Sequence, residues 1–271
     1  MSEQTNIRAL TVGEILDRAF RIYRTGFVML LGVVAVMMIP QGVLRFISIL
    51  YLRDTRFVDI TLSGIFQNLA VVGLVVAISN LNLGKDITIN SAYSQGVKRF
   101  WSVIGSNFMV GLAIALPAFV IGICFGLTGL GWLAIILILP IAMFASTRWS
   151  LNTSAIVLEN IGALAGLTRS WALTKDHFWR VFATSFAATL LSLLLTILPS
   201  LLTSYFLGLM DVSLRLIELT NLVMEQISLI FALPFTIAVQ VLIYYDLRIR
   251  DEGLDLIMRA EEMHNLPLHE N

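Results

Sequence analysis

Between two long apolar runs lies LTRSWALTKDHFWRVF, Leu167–Phe182, which gathers Arg169, Lys175, Asp176, His177 and Arg180 around Trp171 and Trp179. It is either a functional site or the place where the chain meets water, and its surroundings decide between the two. Charged residues make up 13% of the chain, hydrophobic residues 58%, and mean hydropathy is +0.86. A soluble domain carries about a quarter charged residues, so this chain lacks the charge to cover a water-facing surface. It reads as an all-α polytopic membrane protein, and the quoted stretch as the boundary of a span.

A spanning helix needs about 20 mainly apolar residues. Six windows qualify: Phe27–Leu44, Thr61–Leu81, Val103–Cys124, Gly131–Thr147, Val181–Leu207 and Leu222–Tyr245. The second is interrupted by Gln67 and Asn68. Residues Met1 to Leu10 are polar and lack the apolar core of a signal peptide, so the first apolar run is expected to be a retained anchor. The single cysteine, Cys124, excludes an intramolecular disulfide and a Cys-based zinc site. Net charge is zero, which gives no reason to expect nucleic acid.

Lys and Arg in the connections set orientation. The N-terminal segment, the second and fourth connections and the C-terminal tail together carry 14 of them, against 4 in the other connections. With six spans, both termini are expected in the cytoplasm of a bacterial-type inner membrane.

The quoted stretch also has a counterpart. FWRVFATSF at Phe178 parallels FWSVIGSNF at Phe100, and each begins a span. Trp171 and Tyr93 lie seven residues upstream, as Phe20 does before Phe27. Seven residues are about two helical turns, so the members of each pair share a face. The chain therefore reads as three pseudo-repeats, about 10–81, 85–147 and 160–245, each a cytoplasmic amphipathic helix followed by two spans. Thr11-Val12-Gly13-Glu14 is a capping-box signal for the first of these helices. Its apolar residues Ile15, Ala19, Phe20, Tyr23 and Phe27 predict a helix lying at the lipid boundary. Trp171 and Trp179 then read as interfacial anchors, Arg169 and Lys175 as headgroup contacts, and His177 as a solvated loop residue.

Chemistry is sparse. Glu225 is the one charged side chain within the six windows, which argues against proton or sodium coupling. Gln67, Asn68, Asn107 and Gln240 remain as amides that tie helices together or line a cavity. Pro40, Pro117, Pro140, Pro199 and Pro234 fall within spans, where proline either kinks a helix or is absorbed by packing. FGLTGLGW, Phe125–Trp132, reads as a tight hairpin between spans. After the last span, YYDLRIRDEGLDL (Tyr244–Leu256) carries Asp246, Arg248, Arg250, Asp251, Glu252 and Asp255. Interleaved arginines compete with a metal for the carboxylates. The cluster is thus expected to clamp Asp246 and Arg248 onto the neighbouring basic helices rather than to hold an ion.

Three segments together, LTVGEILDRAFRIYRTGF, AIVLENIGALAGLTRSWALTKDHFWRVF and LIYYDLRIRDEGLDL, resemble the membrane domain of bacterial glycerophosphodiester phosphodiesterases and its stand-alone relatives. The resemblance runs from Leu10 to Leu256. It implies that phosphodiesterase chemistry belongs to a separate soluble barrel of about 250 residues, for which this chain has no room, so no catalytic residue, metal or cofactor is carried over.

The expectation is one integral membrane domain, 1–256, with a short acidic tail, 257–271. Its role would be that of a non-catalytic anchor, scaffold or regulatory module. Membrane lipids and an unidentified membrane or cytoplasmic protein are the expected partners, engaged through Arg169, Trp171, Lys175, Trp179, Asp246, Arg248, Arg250 and Glu252. The alternative is a small facilitator for an uncharged or lipid-derived solute, lined by Gln67, Asn68, Asn107 and Gln240.

Overall fold

The computed structural model describes residues 10–51, 56–85, 87–210 and 212–253. All but Leu10 of the polar segment Met1 to Leu10, the acidic tail at 257–271 and Asp255 lie outside the described residues. Within them every regular element is helical: α1 Val12–Thr25, α2 Phe27–Tyr51, α3 Arg56–Asn82, α4 Ile89–Gly96, a 3₁₀ turn Val97–Arg99, α5 Phe100–Leu127, α6 Gly131–Arg148, α7 Asn152–Leu158, α8 Ala163–Thr174, α9 Phe178–Leu209 and α10 Leu214–Glu252. Six helical stretches are long and apolar enough to cross a bilayer, and each contains one of the six windows read from the sequence.

The helices outrun those windows because their polar ends stay helical. Arg45, one of the four basic residues counted in the other connections, lies inside α2. Glu225, the one charged residue within the six windows, lies eleven residues into α10. The two meet, with Arg45 Nη1 3.2 Å from Glu225 Oε1 and Arg45 Nε 3.2 Å from Asp59 Oδ1 on α3. Twenty-one residues further along α10 is Asp246, a rise of about 31 Å. That nearly equals the hydrocarbon thickness of ~30 Å. Two charged layers on one helix thus bracket the apolar slab, and the Asp246 end is the basic end of the molecule.

Helix α10 is the hub. Two-thirds of its most apolar stretch is buried (67%), whereas that of Ile89–Leu127 buries none. Residues Ala70, Leu74, Val75, Ala77 and Ile78 of α3 pack with Ile237, Ala238, Val239, Val241 and Leu242 of α10 in one core cluster. Both segments are apolar all round, which suits helices enclosed on every side. Between helices in lipid there is little hydrophobic driving force, so close fit and hydrogen bonds decide. Gly73 shows the fit: a Cβ there would meet the Tyr93 ring at 2.9 Å and Val33 at 3.2 Å, while Tyr93 Oη donates to the Val33 carbonyl at 2.6 Å.

All five span prolines sit inside unbroken helices. The predicted hairpin is present, with Gly129 at φ +70° between α5 and α6 and Leu130 N–H donating to the Phe125 carbonyl at 3.1 Å. Helix α1 opens on the predicted capping box of Thr11 and Glu14. Its apolar face is divided: Ile15 and Ala19 are fully buried in the main core, while Phe20 stays 57% exposed. The reason is packing, since α1 lies against α10, α9 and α2 and gains protein contacts where lipid was expected.

Candidate interaction site

At the basic end, α10 projects its last polar turns among the helices that begin the other segments. Asp246 is 1% exposed. Its Oδ1 accepts the Leu10 N–H at 2.6 Å. Its Oδ2 accepts Arg180 Nε at 3.0 Å and Arg250 Nε at 3.1 Å. Both arginines also donate to the Leu10 carbonyl. One carboxylate and two guanidinium groups therefore fix the residue leading into α1, the first turn of α9 and the end of α10.

A second cluster lies beside it. Glu159, after α7, accepts Arg169 Nε from α8 at 2.8 and 3.0 Å and Tyr244 Oη from α10 at 2.8 Å. Arg169 Nη2 also pairs with Glu252. Arg248 Nε donates to Glu252 Oε2 at 2.9 Å and its Nη1 to Tyr244 Oη at 3.3 Å. Burial opposes the Arg169 charge, yet the hydrogen bonds it donates to Glu159 and Glu252, with their negative charges, outweigh it and its pKa rises. His177, expected in solvent, lies 2.9 Å from Asp251 Oδ1, because the start of α9 abuts the last turn of α10.

The structure thus brings Arg169, Arg248 and Glu252 into one cluster and Asp246 and Arg250 into another. The expected clamp joins Asp246 to Arg180 and the start of α1. Arg248 takes a different part: it pairs with Glu252 of its own helix and lies 3.8 Å from Glu159, between α7 and α8. Lys175 is exposed, and Trp179 is 76% exposed. Trp171 is partly covered, edge-on to Phe144 and tilted against Trp149. Carboxylates held this way by arginines brace helices, and no three metal-ligating side chains converge among the described residues.

Of the four amides, two meet. Asn107 Nδ2 donates to Asn68 Oδ1 at 2.6 Å, and Asn152 Nδ2 donates to Asn107 Oδ1 at 3.0 Å and Ser106 Oγ at 2.8 Å. Gln67 and Gln240 take no part in this chain. Asn152 opens α7, a seven-residue helix that sequence reasoning treated as part of a connection. The available signal was the polar Asn-Thr-Ser leading into Ala-Ile-Val-Leu, a polar first turn before an apolar one. Asn107→Leu should lower stability by about 1 kcal/mol, read as a lower thermal midpoint in detergent; an unchanged midpoint would show that the amide chain carries no strength. Glu159, Arg180 and Tyr244 were the other participants not singled out as interaction residues, since their partners lie 10 to 170 residues away.

With this geometry established, the chain can be set beside known protein families. Residues 106–265, more than half of the chain, match the family described as the membrane domain of glycerophosphoryl diester phosphodiesterase. No curated protein and no solved structure matches.

Proposed function

Since the chain belongs to the family of the glycerophosphoryl diester phosphodiesterase membrane domain, and is a multi-pass membrane protein, we propose that it acts as a non-catalytic scaffold. In this reading it is one domain, 1–256, in a bacterial-type inner membrane with both termini in the cytoplasm, where the basic end faces. The short-long-long order of α1–α3, α4–α6 and α8–α10 supports three pseudo-repeats, each led by a cytoplasmic helix. No β-strand occurs among the described residues, and the family match is to the membrane domain, so the described chain holds no phosphodiesterase barrel.

The observation that carries the reading is the bracing of α1, α8 and α9 onto the end of α10 by two ion-pair clusters. Bracing of this kind makes a rigid platform, and the residues left to meet a partner are the exposed ones around it, Lys175, Trp179 and the outer edge of Trp171. Asp246, Arg248, Arg250, Glu252 and Arg169 support that surface from beneath. A photo-crosslinking group at Lys175, followed by native mass spectrometry, should capture a protein adduct at fixed stoichiometry. Trp179→Ala should abolish the adduct, while Leu209→Ala at the opposite end leaves it intact. A chain carrying only a small solute, released by Asn68→Leu with Asn107→Leu, would overturn the scaffold and favour a facilitator.

A further inference from the structure

Arg148 closes α6. The eighteen residues of Gly131–Arg148 rise about 27 Å, close to the hydrocarbon thickness of ~30 Å. The guanidinium therefore stands where the apolar slab gives way to headgroups. Three aromatic rings surround it: its Cζ is 5.0 Å from the Trp171 ring centroid, 5.3 Å from Phe144 and 5.4 Å from Phe178. Trp149, the next residue, tilts against Trp171. The position is built rather than incidental. The Arg148 carbonyl accepts Ser170 Oγ at 2.8 Å and Thr174 Oγ1 at 3.2 Å, and both hydroxyl residues are fully buried on α8.

What this arginine lacks is an anion. Arg45, Arg169, Arg180, Arg248 and Arg250 each face a carboxylate. Among the described residues Arg148 faces none, and its Nε and Nη1 are buried without a hydrogen-bond partner there. Ring faces attract a cation but do not replace a counter-ion, and an enclosed charge without one is costly. The residue as a whole is only partly buried, so an anion can reach it from outside. At this depth the anion at hand is a phosphate.

We propose that Arg148, in its cage of Phe144, Trp171 and Phe178, binds the phosphate of one anionic phospholipid headgroup. The lipid would sit at the seam of α6, α8 and α9. An ion pair there ties the α5–α6 hairpin, whose most apolar stretches are 0% and 17% buried within the bundle, to the braced helices at the basic end. The inference needs only that the chain spans a membrane, and it holds whether or not a protein partner docks.

The test is native mass spectrometry of the full chain, titrated separately with phosphatidylglycerol, phosphatidylcholine and inorganic phosphate. One phosphatidylglycerol should be held about tenfold more tightly than phosphatidylcholine. Arg148→Gln should remove that preference, while Arg215→Gln at the other end leaves it unchanged. Equal retention of the two lipids by the wild-type chain would overturn the proposal without recourse to any variant. So would a phosphatidylglycerol preference that survives Arg148→Gln. Displacement of the lipid by millimolar inorganic phosphate would instead assign the site to free phosphate and overturn the lipid assignment.

Discussion

Replacing Asp246 by alanine is expected to lower stability by about 3–5 kcal/mol, the cost of breaking a buried ion pair from one side. The carboxylate side chain is fully buried, whereas Arg180 and Arg250 keep 23% and 31% exposure. Removing it leaves two partly buried cations facing each other and frees the Leu10 N–H of its acceptor. The repulsion falls on the start of α9, and α1 loses the tether that holds its first turn. The first visible consequence is release of α1: protease access near Leu10 should rise before the spans unfold. Pairing the change with Arg180→Met should recover part of the loss, because an apolar replacement of both partners avoids a stranded charge. Thermal unfolding in detergent reads the effect. A midpoint for Asp246→Ala equal to that of Glu218→Ala, a change near the other end of α10, would mean that the cluster does not hold the end together.

The six spans were legible because a membrane asks one thing of them, a run of apolar residues long enough to cross it. The hairpin at Gly129 and the capping box at Thr11 were legible because each is settled by neighbours in sequence. What escaped reading depends on distant partners. Nothing near Asp246 in sequence announces that the Leu10 backbone, 236 residues away, fills its other oxygen. The apolar face of α1 satisfies a lipid boundary and a protein groove equally well, and only the packed bundle selects the groove for Ile15 and Ala19. Helix α7 is too short to be stable by propensity and exists because Leu151, Ala155 and Ile156 are fully enclosed. Arg148 was counted for its charge alone, since the rings around it come from α6, α8 and α9. The amides show the same limit: the sequence offered four polar side chains, and the fold joins Asn68 to Asn107 and adds Asn152 from a helix not foreseen.

Gly166→Val is the second change expected to act strongly, and it tests the junction on which those features rest. Gly166 is buried where α8 crosses α7. A Cβ there would overlap the side chain of Ile156 and approach the Asn152 carbonyl at 3.4 Å. Ile156 is itself fully enclosed, so it has nowhere to move, and α8 must shift instead. Overpacking of this kind costs about 1–3 kcal/mol, and the upper end applies because three contacts depend on the spacing of α7 and α8. These are the pairing of Arg169 with Glu159, the bonds from Ser170 and Thr174 to the Arg148 carbonyl, and the Asn152 amide that reaches Asn107. Gly105→Ala is the control, since its Cβ would meet only Ala163 at an ordinary 3.7 Å, and it should be neutral or slightly stabilising through helix propensity. The sharper measurement is a double-mutant cycle. Gly166→Ala and Ile156→Ala should each destabilise, one by crowding and the other by leaving a cavity. Together they should cost less than the sum, because the new methyl enters the space that isoleucine vacates. Strict additivity would place the two side chains out of contact and undo the account of how α7 positions the basic end.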